Sequence, residues 1–132
     1  MSKAKRKFEH IYFESKKPGR DSVTRAVKDI GQKGCKSPRE VGAVAVAQLI
    51  DYLDGKTYNK QGKVIKFTKK LWTLRTRILR ILGRKYGGLR IVNKVDKLRK
   101  LYDEGKISRK ELIKELKKLV KKHKIPITKY RI

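Results

Sequence analysis

The stretch 41–53, VGAVAVAQLIDYL, constrains the fold most, because it belongs to the longest run of this chain without a lysine or arginine. Its start carries clear helix signals. Ser37 suits the N-cap and Pro38 the first helical position, and Glu40 follows the serine by three residues, which completes a capping box. Gly55 is a natural C-terminal stop. The sequence therefore predicts a helix of about 17 residues between these signals.

Apolar side chains surround this helix on nearly every side, and small alanines between them permit close approach. A helix of this kind is normally buried in a protein core. A membrane span needs about 20 consecutive apolar residues, and Asp51 interrupts this run. We therefore interpret the stretch as a core helix, with these core side chains: Val41, Val44, Val46, Leu49, Ile50 and Leu53.

The charge balance bounds the function. The chain has 132 residues, with 39 lysines and arginines against 12 acidic residues, a formal net charge of +27. Self-repulsion on this scale destabilises a compact state unless a polyanion is present. Because duplex DNA has one phosphate per about 1.7 Å of axis, this charge matches roughly 45 Å of duplex. Nucleic acid fits better than an anionic membrane surface or the sign-balanced ion pairs of proteins from hot organisms.

Residues 1–36 differ from the rest and predict a basic arm with short helices. A cationic cluster is followed by an aromatic patch, by the breaker KKPGR at 16–20, and by an amphipathic segment at 23–30 that Gly31 and Gly34 end. The arm has too few apolar groups for a core of its own, so we expect it to gain order on binding. The N-terminus lacks the apolar region of a secretory signal, which indicates an intracellular origin.

Three further helices are predicted in residues 37–132, at about 64–86, 89–104 and 108–124, with no competing strand pattern. Gly87 and Gly88 break the first of them, Ser108 and Glu111 form a capping box for the last, and Pro126 forbids much further helix. Short loops favour antiparallel neighbours. The predicted fold is therefore all-α: a basic N-terminal helical arm followed by a four-helix bundle domain with a short C-terminal tail.

No acidic residue occurs between Asp54 and Asp96, although that interval contains many lysines and arginines. An ordinary solvated helix face would intersperse glutamates at i, i+4. The pattern favours a cationic face for phosphates over a merely solvated one. The candidate contacts on this part of the chain are Lys66, Lys69, Lys70, Arg75, Arg77, Arg80, Arg84 and Lys85.

The sequence gives only weak indications of base stacking, metal binding, catalysis or base-specific recognition. The aromatic patch of Phe8, Tyr12 and Phe13 fits a helix packing face better than base stacking. His10 and His123 stand alone, so we expect no metal site and no cofactor. Clustered carboxylates and a phosphate-binding glycine loop are both missing from the sequence, so we expect no enzyme. The sequence has neither a zinc-finger nor a basic-zipper pattern, so it does not indicate recognition of specific bases.

A basic, glycine-hinged arm before four helices, in a chain of this length, resembles the major coat proteins of filamentous archaeal viruses, the lipothrixvirus and rudivirus group. The resemblance implies a nucleocapsid protein of the virion, assembled in the host cytoplasm. It implies arms that wrap linear double-stranded DNA in A-form, pairing with a second, related coat protein as a heterodimer, and stacking of dimers into a helical filament under a lipid envelope. The implied DNA-clamping residues are Lys3, Lys5, Arg6, Lys7, Lys16, Lys17, Arg20, Arg25, Lys28, Lys33, Lys36 and Arg39.

Two alternatives remain open from the sequence. An archaeal ribosomal protein would thread a basic arm into ribosomal RNA and pack its helical domain on it. A chromatin-compacting protein would share the charge argument without needing a coat-like partner.

Overall fold

The computed structural model describes residues 36–58 and 63–125. They form helix α1 (Pro38–Asp54), strands β1 (Lys56–Tyr58) and β2 (Val64–Lys66), and helices α2 (Lys69–Tyr86), α3 (Leu89–Asp103) and α4 (Arg109–His123). The mostly helical prediction is confirmed. The predicted arm helices, and every predicted contact from Lys3 to Lys33, lie outside the described residues.

Helix α1 is the predicted core helix. Its residues from Val41 to Leu49 are all buried. The Ser37 hydroxyl caps the helix by accepting a hydrogen bond from the Glu40 amide at 3.2 Å, and Gly55 ends it in the left-handed region with φ 76°. In the predicted capping box the Glu40 carboxylate would accept from the Ser37 amide. It accepts instead from the amide of the preceding residue, Lys36, at 3.0 Å.

The prediction that the next helix begins near residue 64 is wrong. Residues 56–58 and 64–66 pair antiparallel as a hairpin, and α2 begins only at Lys69. The Thr68 hydroxyl provides the N-cap by accepting from the Leu71 amide at 3.2 Å. Phe67 sits at helical spacing before Leu71, but it enters the core from the loop ahead of the helix. The β-branched residues of the hairpin favour a pleated backbone there.

Helices α2 and α3 are joined by a tight turn. Gly87 and Gly88 both have positive φ, 98° and 93°, a backbone conformation that glycine adopts easily and other residues rarely adopt. Pro38 at the start of α1 packs against this turn: a Cβ on Gly87 would lie 2.7 Å from the Pro38 Cγ. The beginning of α1, where the arm joins, therefore lies beside the α2–α3 turn.

The four helices share one core. Helix α1 packs against α2, α3, α4 and β1, and α3 packs against α2 and α4. Among the described elements, α2 and α4 do not touch, so they flank the α1–α3 pair on different sides. The capping box predicted for α4 at Ser108 and Glu111 is confirmed. Within residues 36–58 and 63–125, no helix combines the length and apolarity that a membrane crossing requires.

Candidate nucleic-acid interface

The acidic side chains of the described residues are committed to contacts inside the molecule. Asp96 is the centre of the largest group: it accepts from the Trp72 indole at 2.8 Å and pairs with Arg80 at 2.7 Å and Arg99 at 2.9 Å. Arg99 continues to Asp103 at 2.9 Å. These contacts join α2 to α3 through a seam that is largely closed to solvent.

Burial would raise the pKa of Asp96, but the hydrogen bonds from Trp72, Arg99 and Arg80 outweigh it and hold that pKa below its usual value. Burial likewise raises the pKa of Tyr52, and the hydrogen bond that its hydroxyl donates to Asp103 raises it further. The tyrosine therefore stays a neutral donor and ties α1 to α3.

The remaining acids serve caps, ion pairs or the interior. Asp54 pairs with Arg109, Glu104 with Lys106, and Glu115 with Lys118. Glu40 and Glu111 accept from backbone amides at helix starts, and Asp51 accepts from Thr57 in the interior. Within the described residues each carboxylate therefore already has a partner, and the exposed cations among these partners include Lys106, Arg109 and Lys118.

Many of the exposed cations of the described residues fall into two groups, one on α2 and α3 and the other on α4. The first, here called the α2–α3 face, lies on the outer sides of those two helices and next to the turn: Lys70, Arg77, Arg84, Lys85, Arg90, Lys94, Lys97 and Lys100. The second, the α4 lysine face, follows the outer side of α4: Lys110, Lys114, Lys117, Lys121 and Lys122. No member of either group has an ion pair with another described residue.

The structure brings several predicted residues together. Lys36 and Arg39 are exposed at the start of α1, next to the turn that carries Arg84 and Lys85. Lys85 lies over the ring of Tyr86, 5.4 Å from its centroid. Lys66, Lys69 and Lys70 are exposed at the opposite end of α2, about 25 Å away along a helix of this length.

The prediction that Arg75 lines the interface is wrong. Its side chain is fully buried, at 0% exposure, and donates to Gln48 at 2.9 Å, to Thr57 at 2.8 Å and to the Tyr58 carbonyl at 2.7 Å. Burial lowers the pKa of Arg75 to about 10, and nearby Asp51 opposes that shift, so the guanidinium stays charged at neutral pH. It is an interior anchor.

Arg80 also differs from its prediction. It is only partly exposed, pairs with Asp96 and donates to Asn93 at 3.1 Å. Its charge is therefore already balanced inside the α2–α3 seam.

Sequence reasoning missed several exposed cations. Lys97 and Lys100 lie beyond the acid-free interval, although they share a helix face with Lys94. The α4 lysines were missed for the same reason. Helical spacing would have found both groups, because each repeats at three and four residues.

No family of known proteins, no characterised protein and no solved structure matches this chain. Among the described residues, no three His, Cys, Asp or Glu side chains are grouped as metal ligands would be.

Two arginines on α2, only two positions apart, provide a test of the interior anchor. We expect Arg75→Gln to lower the free energy of unfolding by about 2 to 4 kcal/mol, because it leaves buried acceptors without their donor. The matched variant Arg77→Gln removes an exposed charge and should change it by less than about 0.5 kcal/mol. Urea unfolding measures both, and equal losses would contradict the assignment.

Protonation of Asp96 gives a pH-dependent test. A carboxylate whose pKa is lowered in the folded state stabilises it above the unfolded pKa, and that contribution disappears as the pH falls through the folded pKa. We expect Asp96→Asn to cost about 2 kcal/mol at pH 7, with the difference from wild type closing as the pH falls below about 4. Asp54→Asn, in an exposed ion pair, is the control and should show little effect at either pH. A gap that stayed constant with pH would refute the role of the charge.

Proposed function

We propose that this chain is a structural coat protein that binds linear double-stranded DNA without sequence specificity and assembles into a helical filament. One observation carries the proposal: the acids of the described residues have partners within the domain, while most of the described lysines and arginines are exposed with no ion pair to another described residue. A surface of this kind gains stability when a polyanion supplies the missing charge. DNA phosphates meet that need along a continuous line.

The geometry of the arm attachment supports the same proposal. The described chain begins at Lys36 and enters α1 beside the α2–α3 turn, so the arm is attached at one end of the α2–α3 face. A duplex lying along this face would be held by helix cations on one side and by the arm on the other. Contacts of lysine and arginine with phosphates fix position on DNA without reading bases, which suits a protein that covers a whole genome.

The resemblance to filamentous-virus coat proteins extends the proposal to assembly. In it, the arm projects from a four-helix bundle, the chain pairs with a second, related coat protein, the DNA is A-form, and the filament lies under a lipid envelope in the virion.

The α4 lysine face favours a second candidate. Helix α4 contacts α1 and α3 but not α2, so these lysines lie on a helix separate from the α2 part of the α2–α3 face. A domain surrounded by folded RNA would use cations on several sides, as in a ribosomal protein that threads an arm into ribosomal RNA. The two candidates differ in the nucleic acid they prefer and in whether they polymerise.

Electron microscopy of the purified chain with linear duplex DNA tests the first candidate. We expect regular filaments of fixed diameter. The logarithm of the affinity should fall linearly with the logarithm of salt concentration, by about 0.9 for each neutralised phosphate. Amorphous compaction would favour the chromatin-compacting alternative, and tighter binding to structured RNA without filaments would favour the ribosomal one.

Removal of residues 1–35 tests the arm. This truncation keeps Ser37, which caps α1. We expect a helical, cooperatively unfolding protein that binds DNA far more weakly, with a salt dependence reduced by about 0.9 for each phosphate that the arm would have neutralised. Circular dichroism checks the fold and fluorescence anisotropy the binding. Undiminished affinity of the truncated chain would remove the arm from the interface.

A further inference from the structure

The β1–β2 hairpin is held on the helices by interior contacts stronger than its size would lead one to expect. Each strand has only three residues, and an isolated two-stranded hairpin is at best marginally stable. Here Thr57 of β1 accepts from Arg75 at 2.8 Å and donates to Asp51 at 2.9 Å. Arg75 also donates to the Tyr58 carbonyl. These contacts fix the orientation of the hairpin relative to α1 and α2.

The outer side of the hairpin carries two lysines directly opposite each other. Lys56 pairs with Lys66 in the strand register, and both are exposed. Side chains opposite each other in an antiparallel pair have Cβ atoms about 5 Å apart, so like charges there oppose strand pairing. Neither lysine has an ion pair with another described residue. The repulsion between them has no counterweight within the described part of the chain.

The same side of the hairpin presents an apolar group. Side chains alternate along a strand, so Val64 and Tyr58, which form the next-but-one pair in the register, share the outer side with the two lysines. Val64 is 59% exposed and is the one large hydrophobic residue exposed among the described residues. Cations beside an exposed apolar group complement a nucleic-acid strand, whose phosphates alternate with sugars.

We propose that the outer side of this hairpin is a second binding element for the nucleic-acid backbone, in which Lys56 and Lys66 hold a phosphate between their ammonium groups and Val64 lies against the neighbouring sugar. The inference rests on the proposed function, and it adds a site that the arm and the α2–α3 face do not contain. A bound phosphate turns the repulsion between the lysines into two attractive contacts. Arg75 is a positioning residue that keeps the pair presented outward.

The position of the hairpin agrees with this role. Strand β2 leads through Phe67 and Thr68 into α2, so Lys69 and Lys70 follow immediately, and the first turn of α2 contains no acidic residue. The arm joins the domain near the opposite end of α2. The hairpin and the arm would therefore contact one backbone at two points separated by about the length of the helix, roughly 27 Å.

Charge reversal at one lysine separates binding from stability. Lys66→Glu replaces a like-charge pair by an opposite-charge pair, so we expect the melting temperature of the free protein to stay equal or rise by about a few degrees. Binding to duplex DNA should weaken, and its salt dependence should become less steep by about 0.9 or more. Lys66→Gln removes the positive charge without adding a negative one and should reduce the salt dependence by about 0.9.

Lys117 on the α4 lysine face supplies the matched control. Lys117→Gln removes the same charge from α4, a helix that contacts neither the hairpin nor α2. The hairpin proposal would be overturned if DNA binding by Lys66→Gln had the same salt dependence as binding by wild type. It would also be overturned if Lys66→Gln lost no more affinity for DNA than Lys117→Gln does. Either result would leave the proposal of DNA binding itself intact. If wild type failed to bind duplex DNA at low salt, the proposed function and the hairpin site would both fall. A melting temperature that dropped in Lys66→Glu would contradict the like-charge repulsion.

Discussion

Burial of α1 on every side is the constraint that the rest of the structure obeys. A helix with no polar face must be covered all round, and α2, α3, α4 and the hairpin strand β1 each contact it. Its two interior polar side chains, Gln48 and Asp51, lie on the side where Arg75 and Thr57 meet them. Each covering helix turns its apolar face to α1. Its opposite face is left for water or a ligand, and that is where the lysines and arginines lie.

The two signs of charge are used differently in the described part of the domain. Two carboxylates join elements: Asp96 and Asp103 connect α1, α2 and α3 through Trp72, Arg99 and Tyr52. The outward faces keep cations with few acids between them. An ordinary surface helix gains from acids and bases alternating at i, i+4. On α2, α3 and α4 only a few cations have such an acidic partner, and the phosphates of the proposed nucleic-acid partner would pair with the others.

Local signals predicted both ends of α1, the end of α2 and the start of α4, because caps and glycine stops depend on neighbouring residues: Ser37 and Gly55 around α1, Gly87 and Gly88 after α2, Ser108 before α4. The hairpin could not be found this way, since its three-residue strands depend on Arg75, Asp51 and Gln48 from two different helices. The burial of Arg75 was within reach of the pattern, because it lies three residues after Trp72 and seven before Leu82, on the face that proves most buried. The prediction placed Arg75 at the surface because it is an arginine and gave less weight to its position on the helix. Which exposed cations lie near one another depends on helix packing, so the lack of contact between α2 and α4 follows only from the tertiary structure.

The two buried arginines help to hold the interior in one arrangement beneath a surface with a large excess of positive charge. Arg75 lies over the ring of Phe67 at 5.2 Å and Arg99 over that of Trp72 at 5.6 Å, and these rings pack with Tyr52 into one aromatic cluster. In both arginines the Nε has no hydrogen-bond partner within the described structure, so each anchor carries a desolvation cost. An apolar side chain of similar size would avoid that cost, but it would lose the directed bonds that set the hairpin and the α2–α3 seam in one orientation. Repulsion among the outer cations pushes these same elements apart whenever no polyanion is bound. Directional, charge-assisted contacts resist that push at fixed geometry, so the cationic faces can keep their arrangement without a bound polyanion.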